Sequence, residues 1–164
     1  MLKSENILLI MRHARSEWPG YLNRDFDRPL DLEGEKQALE IALKINSLGL
    51  IIDHALVSPA RRTTQTFELL AQNLVQVPEV FFDRRIYGAS FIDLINILSE
   101  EAPRYNSLLL IGHNPAISEL SYRLTKESHE FKPGSFAILH PKKKSLAASL
   151  ESDFDFNLEK ILTP

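Results

Sequence analysis

The sequence contains no cysteine. That excludes a disulfide framework, a thiolate nucleophile and any zinc or iron–sulfur site built on sulfur ligands, and it fits a reducing compartment. A surplus of positive charge is missing too. The 19 Lys and Arg residues stand against 22 Asp and Glu, for a formal net charge of −3, which argues against a dedicated nucleic-acid binder. Any positive site must be local. Long apolar runs are also absent. After Met1–Asn6 only Ile7 to Met11 are apolar before Arg12, too few for a signal-peptide core or a membrane span, so a cytoplasmic protein with no membrane partner is expected. No internal repeat, low-complexity tract or composition shift marks a boundary. The 164 residues therefore fit one domain, 1–164, able to bury roughly two-thirds of its unfolded surface without staples. The one basic run, Lys142-Lys143-Lys144, follows Pro141 and reads as a solvated hairpin tip.

What is present alternates between strand and helix. A near-continuous apolar run over residues 6–11 predicts a strand covered on both faces. Residues 14–30 lack periodicity but carry Trp18, Tyr21, Phe26 and Leu30 as apolar anchors, which predicts a long ordered loop or lid. Asp31 caps a helix over 32–48, with Ala38, Ile41, Ala42, Ile45 and Leu48 at helical spacing and Gly49 as its stop. A brief strand, His54-Ala55-Leu56-Val57, precedes Ser58-Pro59 as N-cap and first residue of a helix with Thr66, Phe67, Leu70 and Leu74 on one face. A short strand at 80–82 follows. Ser90 and Asp93 then form a capping box for a helix over 91–100, Pro103 ends it, and Leu108 to Ile111 make another strand. Asn114-Pro115 starts a helix to about residue 124. The stretches Phe136–His140 and Ser145–Leu150 read as two strands of a terminal hairpin. This order predicts an α/β fold, a three-layer α/β/α sandwich around a mostly parallel sheet.

Two apolar runs end in a histidine: Leu8-Leu9-Ile10-Met11-Arg12-His13 and Leu108-Leu109-Leu110-Ile111-Gly112-His113. Ligands of open α/β sheets bind just outside the carboxyl ends of strands, so both endings are candidate site residues. Arg61 and Arg62 near a helix start oppose the helix dipole, an arrangement that makes sense if an anion sits between them and the helix end. Two guanidiniums suit a dianionic phosphoryl group. Of two imidazoles, one can attack phosphorus while the other donates to its equatorial oxygens. Phosphoryl transfer needs mainly positioning and charge stabilisation, so this cluster could suffice without a metal or other cofactor. The remaining histidines, His54, His129 and His140, show no ligand-spaced pairing and are expected to be structural or exposed.

These residues carry a resemblance. Leu9-Ile10-Met11-Arg12-His13-Ala14-Arg15-Ser16-Glu17-Trp18 resembles the Arg-His-Gly signature of the histidine phosphatase superfamily, the phosphoglycerate mutase-like proteins. Ser58-Pro59-Ala60-Arg61-Arg62-Thr63-Thr64-Gln65-Thr66 is similar to that family's Ser-x-x-x-Arg-x-x-x-Thr segment, and Gly112-His113-Asn114 matches its Gly-His motif. Asp25-Phe26-Asp27-Arg28-Pro29-Leu30 resembles the small branch typified by the phosphohistidine phosphatase SixA. The resemblance implies a phosphoglycerate mutase-like fold without a large cap domain. It makes His13 the nucleophile that becomes phosphorylated, Arg12 and Arg62 the phosphoryl clamp, and His113 the group that completes the pocket. It selects Arg62 over Arg61, which is then a solvated helix residue. Arg15, Ser16 and Arg28 are candidates to extend or line the positive pocket.

Two departures shape the functional expectation. Ala14 replaces the usual Gly. Larger relatives place a Glu as general acid after the Arg-Leu corresponding to Arg85-Ile86, where this chain reads Tyr87-Gly88-Ala89. A sugar alkoxide needs a proton on leaving, whereas a phosphohistidine leaves as imidazole. The expected activity is therefore dephosphorylation of a phosphohistidine on a protein, such as a phosphocarrier or histidine phosphotransfer domain. The alternatives are a small-molecule phosphomonoesterase of the same superfamily and a non-catalytic phosphate- or phosphoprotein-binding module. Any acid is Glu17, Asp25, Asp27 or solvent.

Overall fold

The computed structural model describes residues 6–18, 20 and 24–164. The expectations about Tyr21 and about the first residues, Met1–Glu5, lie outside the described residues. Among these residues six strands form one sheet: β1 (Ile7–Arg12), β2 (His54–Val57), β3 (Glu79–Phe82), β4 (Ser107–Gly112), β5 (Phe136–Pro141) and β6 (Phe156–Leu162), in the order β3-β2-β4-β1-β5-β6. The first four in that order run parallel, while β5 is antiparallel to β1 and β6 to β5. The mostly parallel sheet is thus as expected, and it places β1 between β4 and β5.

Among the described residues, five α-helices cover the sheet: α1 (Leu32–Ser47), α2 (Arg61–Asn73), α3 (Phe91–Glu101), α4 (Ala116–Thr125) and α5 (Leu146–Glu151). Alternation along β1 sorts the core into two layers, because successive strand side chains point to opposite faces. Ile7, Leu9 and Met11 pack with Ile41 and Ile45 of α1 and Phe67 and Leu70 of α2. Leu8 and Ile10 pack with Leu94 and Leu98 of α3, Leu120 and Leu124 of α4, and Leu146 and Leu150 of α5. Every residue from Ile7 to Met11 is buried, which is why this strand reads as an unbroken apolar run.

Local signals behave as their chemistry requires. Asp31 accepts from Gly34 N–H at 2.7 Å to cap α1, Gly49 takes a positive φ of 66° after its end, and Ser90 with Asp93 closes a reciprocal capping box on α3.

Four expectations need correction. Residues 145–150 are a helix, not a strand: Ser145 caps α5 by accepting from Ala148 N–H, and Leu146 and Leu150, four apart, reach one core layer only with helical periodicity. The partner of β5 is β6 instead. Helix α2 begins at Arg61 with Ala60 as its cap residue, so Ser58-Pro59 stands outside it, and Ser58 is spent elsewhere. Trp18 is not an anchor, being 92% exposed, and Leu48 is 41% exposed because the chain leaves the α1 axis there. Leu30 is buried and Phe26 half-buried, so they carry the anchoring of the loop. The basic turn at Lys142–Lys144 is exposed as expected. Among the described residues, no helix is long and apolar enough to cross a membrane.

Candidate active site

The strand order brings three carboxyl ends side by side. β1 delivers Arg12 and His13, β4 delivers His113, and β2 leads into Ser58, from which the chain turns into α2 and Arg62. Backbone bonds fix the join: His13 N–H donates to Gly112 C=O at 3.1 Å, and Ser58 N–H to Ile111 C=O at 3.1 Å. Behind the loop that carries His13, Thr66 Oγ1 accepts from Ala14 N–H at 3.1 Å and donates to Arg62 C=O at 2.7 Å. The start of α1 buttresses the other side: Asp31 N–H bonds Arg15 C=O and Gln37 Oε1 accepts from Arg15 N–H.

His13 is 6% exposed. Its Nδ1 lies 2.7 Å from Ala14 C=O, a group that only accepts, so Nδ1 carries the proton. Arg62 Nε donates to His13 Nε2 at 3.3 Å, and a guanidinium only donates, so Nε2 carries the lone pair. Both contacts specify the same tautomer. Burial, against the opposing bond to Ala14 and with the nearby His113, Arg62 and Arg12, lowers the His13 pKa to about 3. The ring is therefore neutral near pH 7 with Nε2 presented as a nucleophile.

The His113 ring lies 5.3 Å from that of His13. Its Nδ1 accepts from Arg62 Nη2 at 3.2 Å, and its Nε2 is 2.7 Å from Ser58 Oγ. Burial first, then the charges of Arg62, Arg28 and Arg12 against that of Asp25, lower its pKa to about 4.

Arg62, 4% exposed, turns back from the helix start into the site. Its Nη1 donates to Asp25 C=O at 2.7 Å and its Nη2 to Asp25 Oδ2 at 3.1 Å. The anion expected near the start of α2 is thus, here, the Asp25 carboxylate. Arg12 donates from Nη1 to Phe131 C=O, while its buried Nε has no partner among the described residues. Arg28 donates from Nη2 to Asp25 Oδ1 at 3.1 Å and from Nη1 to Glu17 C=O.

These groups line an open cavity of about 820 Å³ that also reaches Arg15, Ser16, Glu17 and Asn114. Arg12, His13, Arg62 and His113 come together, and Arg28 joins them through Asp25. Arg15 and Ser16 stand at the mouth: Arg15 pairs with Asp31 at 2.6 Å, and Ser16 bridges Leu30. Arg61 is exposed, as the family spacing implied. Among the three candidate carboxylates only Asp25 enters the cluster. Asp27 pairs outward with Arg24, and Glu17 lines the rim. Burial alone would raise the Asp25 carboxyl, but the Tyr87 hydroxyl and the charges of Arg62 and Arg28 outweigh it and hold its pKa below the ordinary value. Among the described residues, no three His, Asp or Glu side chains are grouped to hold a metal ion.

Two residues escaped sequence reasoning. Tyr87 donates its hydroxyl to Asp25 Oδ2 at 2.8 Å and meets the His113 ring edge-on at 5.6 Å. No local pattern singles it out. Ser58 looked like a cap; its place at the head of the Ser-x-x-x-Arg-x-x-x-Thr segment was the signal that it faces the site.

Comparison with known proteins bears on this geometry. A family model, the histidine phosphatase superfamily (branch 1), matches residues 8–102. The chain is 29% identical over 168 residues to an uncharacterized chloroplastic protein of Arabidopsis thaliana, covering 96% of this chain and 77% of that one. Its fold is similar to that of a candidate phosphohistidine phosphatase SixA from Nakamurella multipartitia, with a TM-score of 0.82 at 23% identity over 97% of this chain and 96% of that one. The protein histidine phosphatase SixA complexed with tungstate gives a TM-score of 0.82 at 20% identity, covering 96% of this chain and 97% of that one.

Proposed function

This chain belongs to the histidine phosphatase superfamily, branch 1, and from that premise we propose that it is a metal-independent phosphatase that removes the phosphoryl group from phosphohistidine on a protein. The lone pair of His13 Nε2 attacks phosphorus and the bond to the substrate nitrogen breaks, its electron pair returning to the departing imidazole. A substrate ring protonated on its other nitrogen leaves as neutral imidazole, so no protein acid is required. The phosphorylated His13 ring carries a positive charge, and its Nδ1–H remains bonded to Ala14 C=O. Water then attacks phosphorus and the electron pair of the P–N bond returns to Nε2. The surplus proton of that water leaves with phosphate or to solvent. Arg12 and Arg62 balance the charge of the phosphoryl oxygens, and Arg28 extends the same positive field. The binding of tungstate by SixA, a fold relative, is consistent with a pocket for a tetrahedral dianion.

The observation that carries the substrate choice is Asp25. It is the carboxylate within the cluster, and it is held ionised by Tyr87, Arg62 and Arg28. An ionised carboxylate cannot protonate an alkoxide, which a phosphomonoester must expel. The open cavity admits a side chain displayed on a second protein.

The test compares kcat/KM on a phosphohistidine-bearing phosphocarrier with that on a panel of phosphomonoesters. The phosphocarrier is expected to be preferred by at least tenfold; preference for an ester supports a small-molecule phosphomonoesterase instead. Protein quenched in alkali during turnover should retain acid-labile phosphate, and His13→Ala should retain none. A protein that binds phosphopeptides but turns over neither substrate class is a binding module.

A further inference from the structure

Ser58 is fully buried at the end of β2. Its Oγ has two partners among the described residues, His113 Nε2 at 2.7 Å and the more distant Ala60 N–H at 3.5 Å. The ring nitrogen on the other side of His113 accepts from Arg62 Nη2. A guanidinium has no lone pair to offer, so that nitrogen, Nδ1, is unprotonated, and the neutral ring must carry its proton on Nε2, directed at Ser58 Oγ. The serine therefore accepts from His113 at the back of the site, while the basic nitrogen of the ring faces the cavity beside Arg62.

We propose that Ser58 is a positioning residue that keeps the proton-accepting nitrogen of His113 turned toward the phosphoryl group, so that His113 takes up a proton when a phosphoryl dianion binds. This rests on the phosphatase reading above. In the free protein Nδ1 accepts from Arg62. When a phosphoryl group draws the Arg62 donors onto its oxygens, Nδ1 loses that bond and meets an oxyanion, against which a lone pair is repulsive. One proton from solvent resolves the conflict: it adds to Nδ1, the ring becomes an imidazolium, Nδ1–H donates to a phosphoryl oxygen, and Nε2–H continues to donate to Ser58 Oγ. No bond to carbon, nitrogen or phosphorus changes, and the proton returns to solvent when phosphate leaves. Without the serine oxygen, the imidazolium would hold an unpartnered N–H in a fully buried place, a costly state.

The groups facing His113 agree with this direction. They are His13 and Arg12 at the end of β1, Arg62 from α2, Asp25 and Arg28 from the loop before α1, and Tyr87 beyond β3. Burial first, and then the cations among them, keep the ring neutral in the free protein. A bound dianion neutralises those same cations and adds its own attraction for the proton.

The deciding measurement is 15N NMR of histidine-labelled protein, free and with inorganic phosphate at pH 8. In the free protein His113 Nδ1 should resonate as a bare nitrogen and Nε2 as a protonated one; with phosphate both should resonate as protonated. Titration calorimetry in buffers of different ionisation enthalpy should find uptake of about one proton per phosphate bound at pH 8, where free phosphate is mainly dianionic. In Ser58→Ala, uptake should fall and phosphate affinity drop by about 10- to 100-fold at pH 8. The drop should be smaller at pH 6, where phosphate brings its own second proton. Loss of packing alone would weaken binding equally at both pH values. A proton on Nδ1 in the free wild-type protein, absence of proton uptake, or a pH-independent effect of Ser58→Ala overturns the assignment while leaving the phosphatase reading in place. A protein that neither binds phosphate nor hydrolyses phosphohistidine overturns both.

Discussion

Arg62 spends nearly all its donors inside the site: Nε on His13, Nη1 on Asp25 C=O, and Nη2 on both the Asp25 carboxylate and His113. Asp25 thus occupies donors that a phosphoryl group would need, and it also engages Arg28. Replacing it with a neutral isostere removes a competing anion. Asp25→Asn is expected to tighten inhibition by inorganic phosphate, by about three- to tenfold given the strength of charge-assisted bonds at a half-exposed carboxylate. An inhibition constant that stays the same or rises would refute the competition. His13 sets the acid limb, because a proton on its Nε2 removes the attacking lone pair, whereas a proton on His113 favours the bound phosphoryl group. With His13 at about 3 and His113 at about 4 in the free protein, neither is protonated between pH 8 and pH 6. The acid limb of kcat/KM, which reports the free enzyme, is expected below about pH 5 for a substrate that does not itself titrate there. A limb near pH 6.5, the ordinary histidine value, would contradict the desolvation that holds these rings neutral.

The start of α1 sets the shape of the His13–Ser16 loop. A side chain at Gly34 would place its Cβ 1.9 Å from Arg15 C=O, a backbone atom that cannot swing aside, and Asp31 N–H bonds that same carbonyl. Gly34→Ala is therefore expected to force α1 and the His13–Ser16 segment apart. The cost is about 1–3 kcal/mol or more, read from urea denaturation, with a fall in kcat because His13 shifts against Arg62. A variant of unchanged stability and activity would show that the loop has slack the packing does not suggest. At the far end of the chain, α5 is held by Leu146 and Leu150 in the layer shared with α3 and α4. Leu146→Ala should destabilise by about 2–5 kcal/mol without altering phosphate affinity in the protein that remains folded.

The pH response of the whole molecule follows from its buried histidines. His54 stacks on Tyr105 with ring centroids 4.3 Å apart, and neither ring nitrogen has a hydrogen-bond partner among the described residues, Glu79 Oε2 standing 3.9 Å from Nδ1. Burial, opposed by Glu101 and Glu79, lowers its pKa. His13, His54 and His113 thus all titrate lower in the folded protein than in the unfolded chain. As the pH falls below about 6.5, the unfolded chain takes up protons that the native state refuses, so stability is greatest above that pH and declines on acidification. The unfolding midpoint in urea is expected to fall between pH 7.5 and pH 5. His54→Phe, which keeps the stack on Tyr105 but cannot titrate, should shrink that fall. An equal decline in the variant would assign the effect to other groups.

Much of this architecture can be read along the chain because its signals are local. The continuous apolar run of β1, the cap at Asp31, the stop at Gly49 and the Ser90–Asp93 box each depend on residues within one element. The strand-then-histidine endings at Arg12-His13 and Gly112-His113 mark the site for the same reason: carboxyl ends of parallel strands converge. Where local chemistry is ambiguous the reading failed. Ser145–Leu150 has apolar residues that suit either a strand or a short helix, and only the layer formed with α3 and α4 selects the helix. Ser58 satisfies every local rule for a cap, yet the register between β2 and β4 puts it behind His113. Asp25 and Tyr87 are 62 residues apart, and no periodicity connects them. Sequence order was enough to pick out the two histidines and two arginines that the fold brings together, because each sits at or beside the end of its own element. Which nitrogen of each ring is basic, and which carboxylate stands among the guanidiniums, depends on contacts between elements, and only the folded sheet creates those.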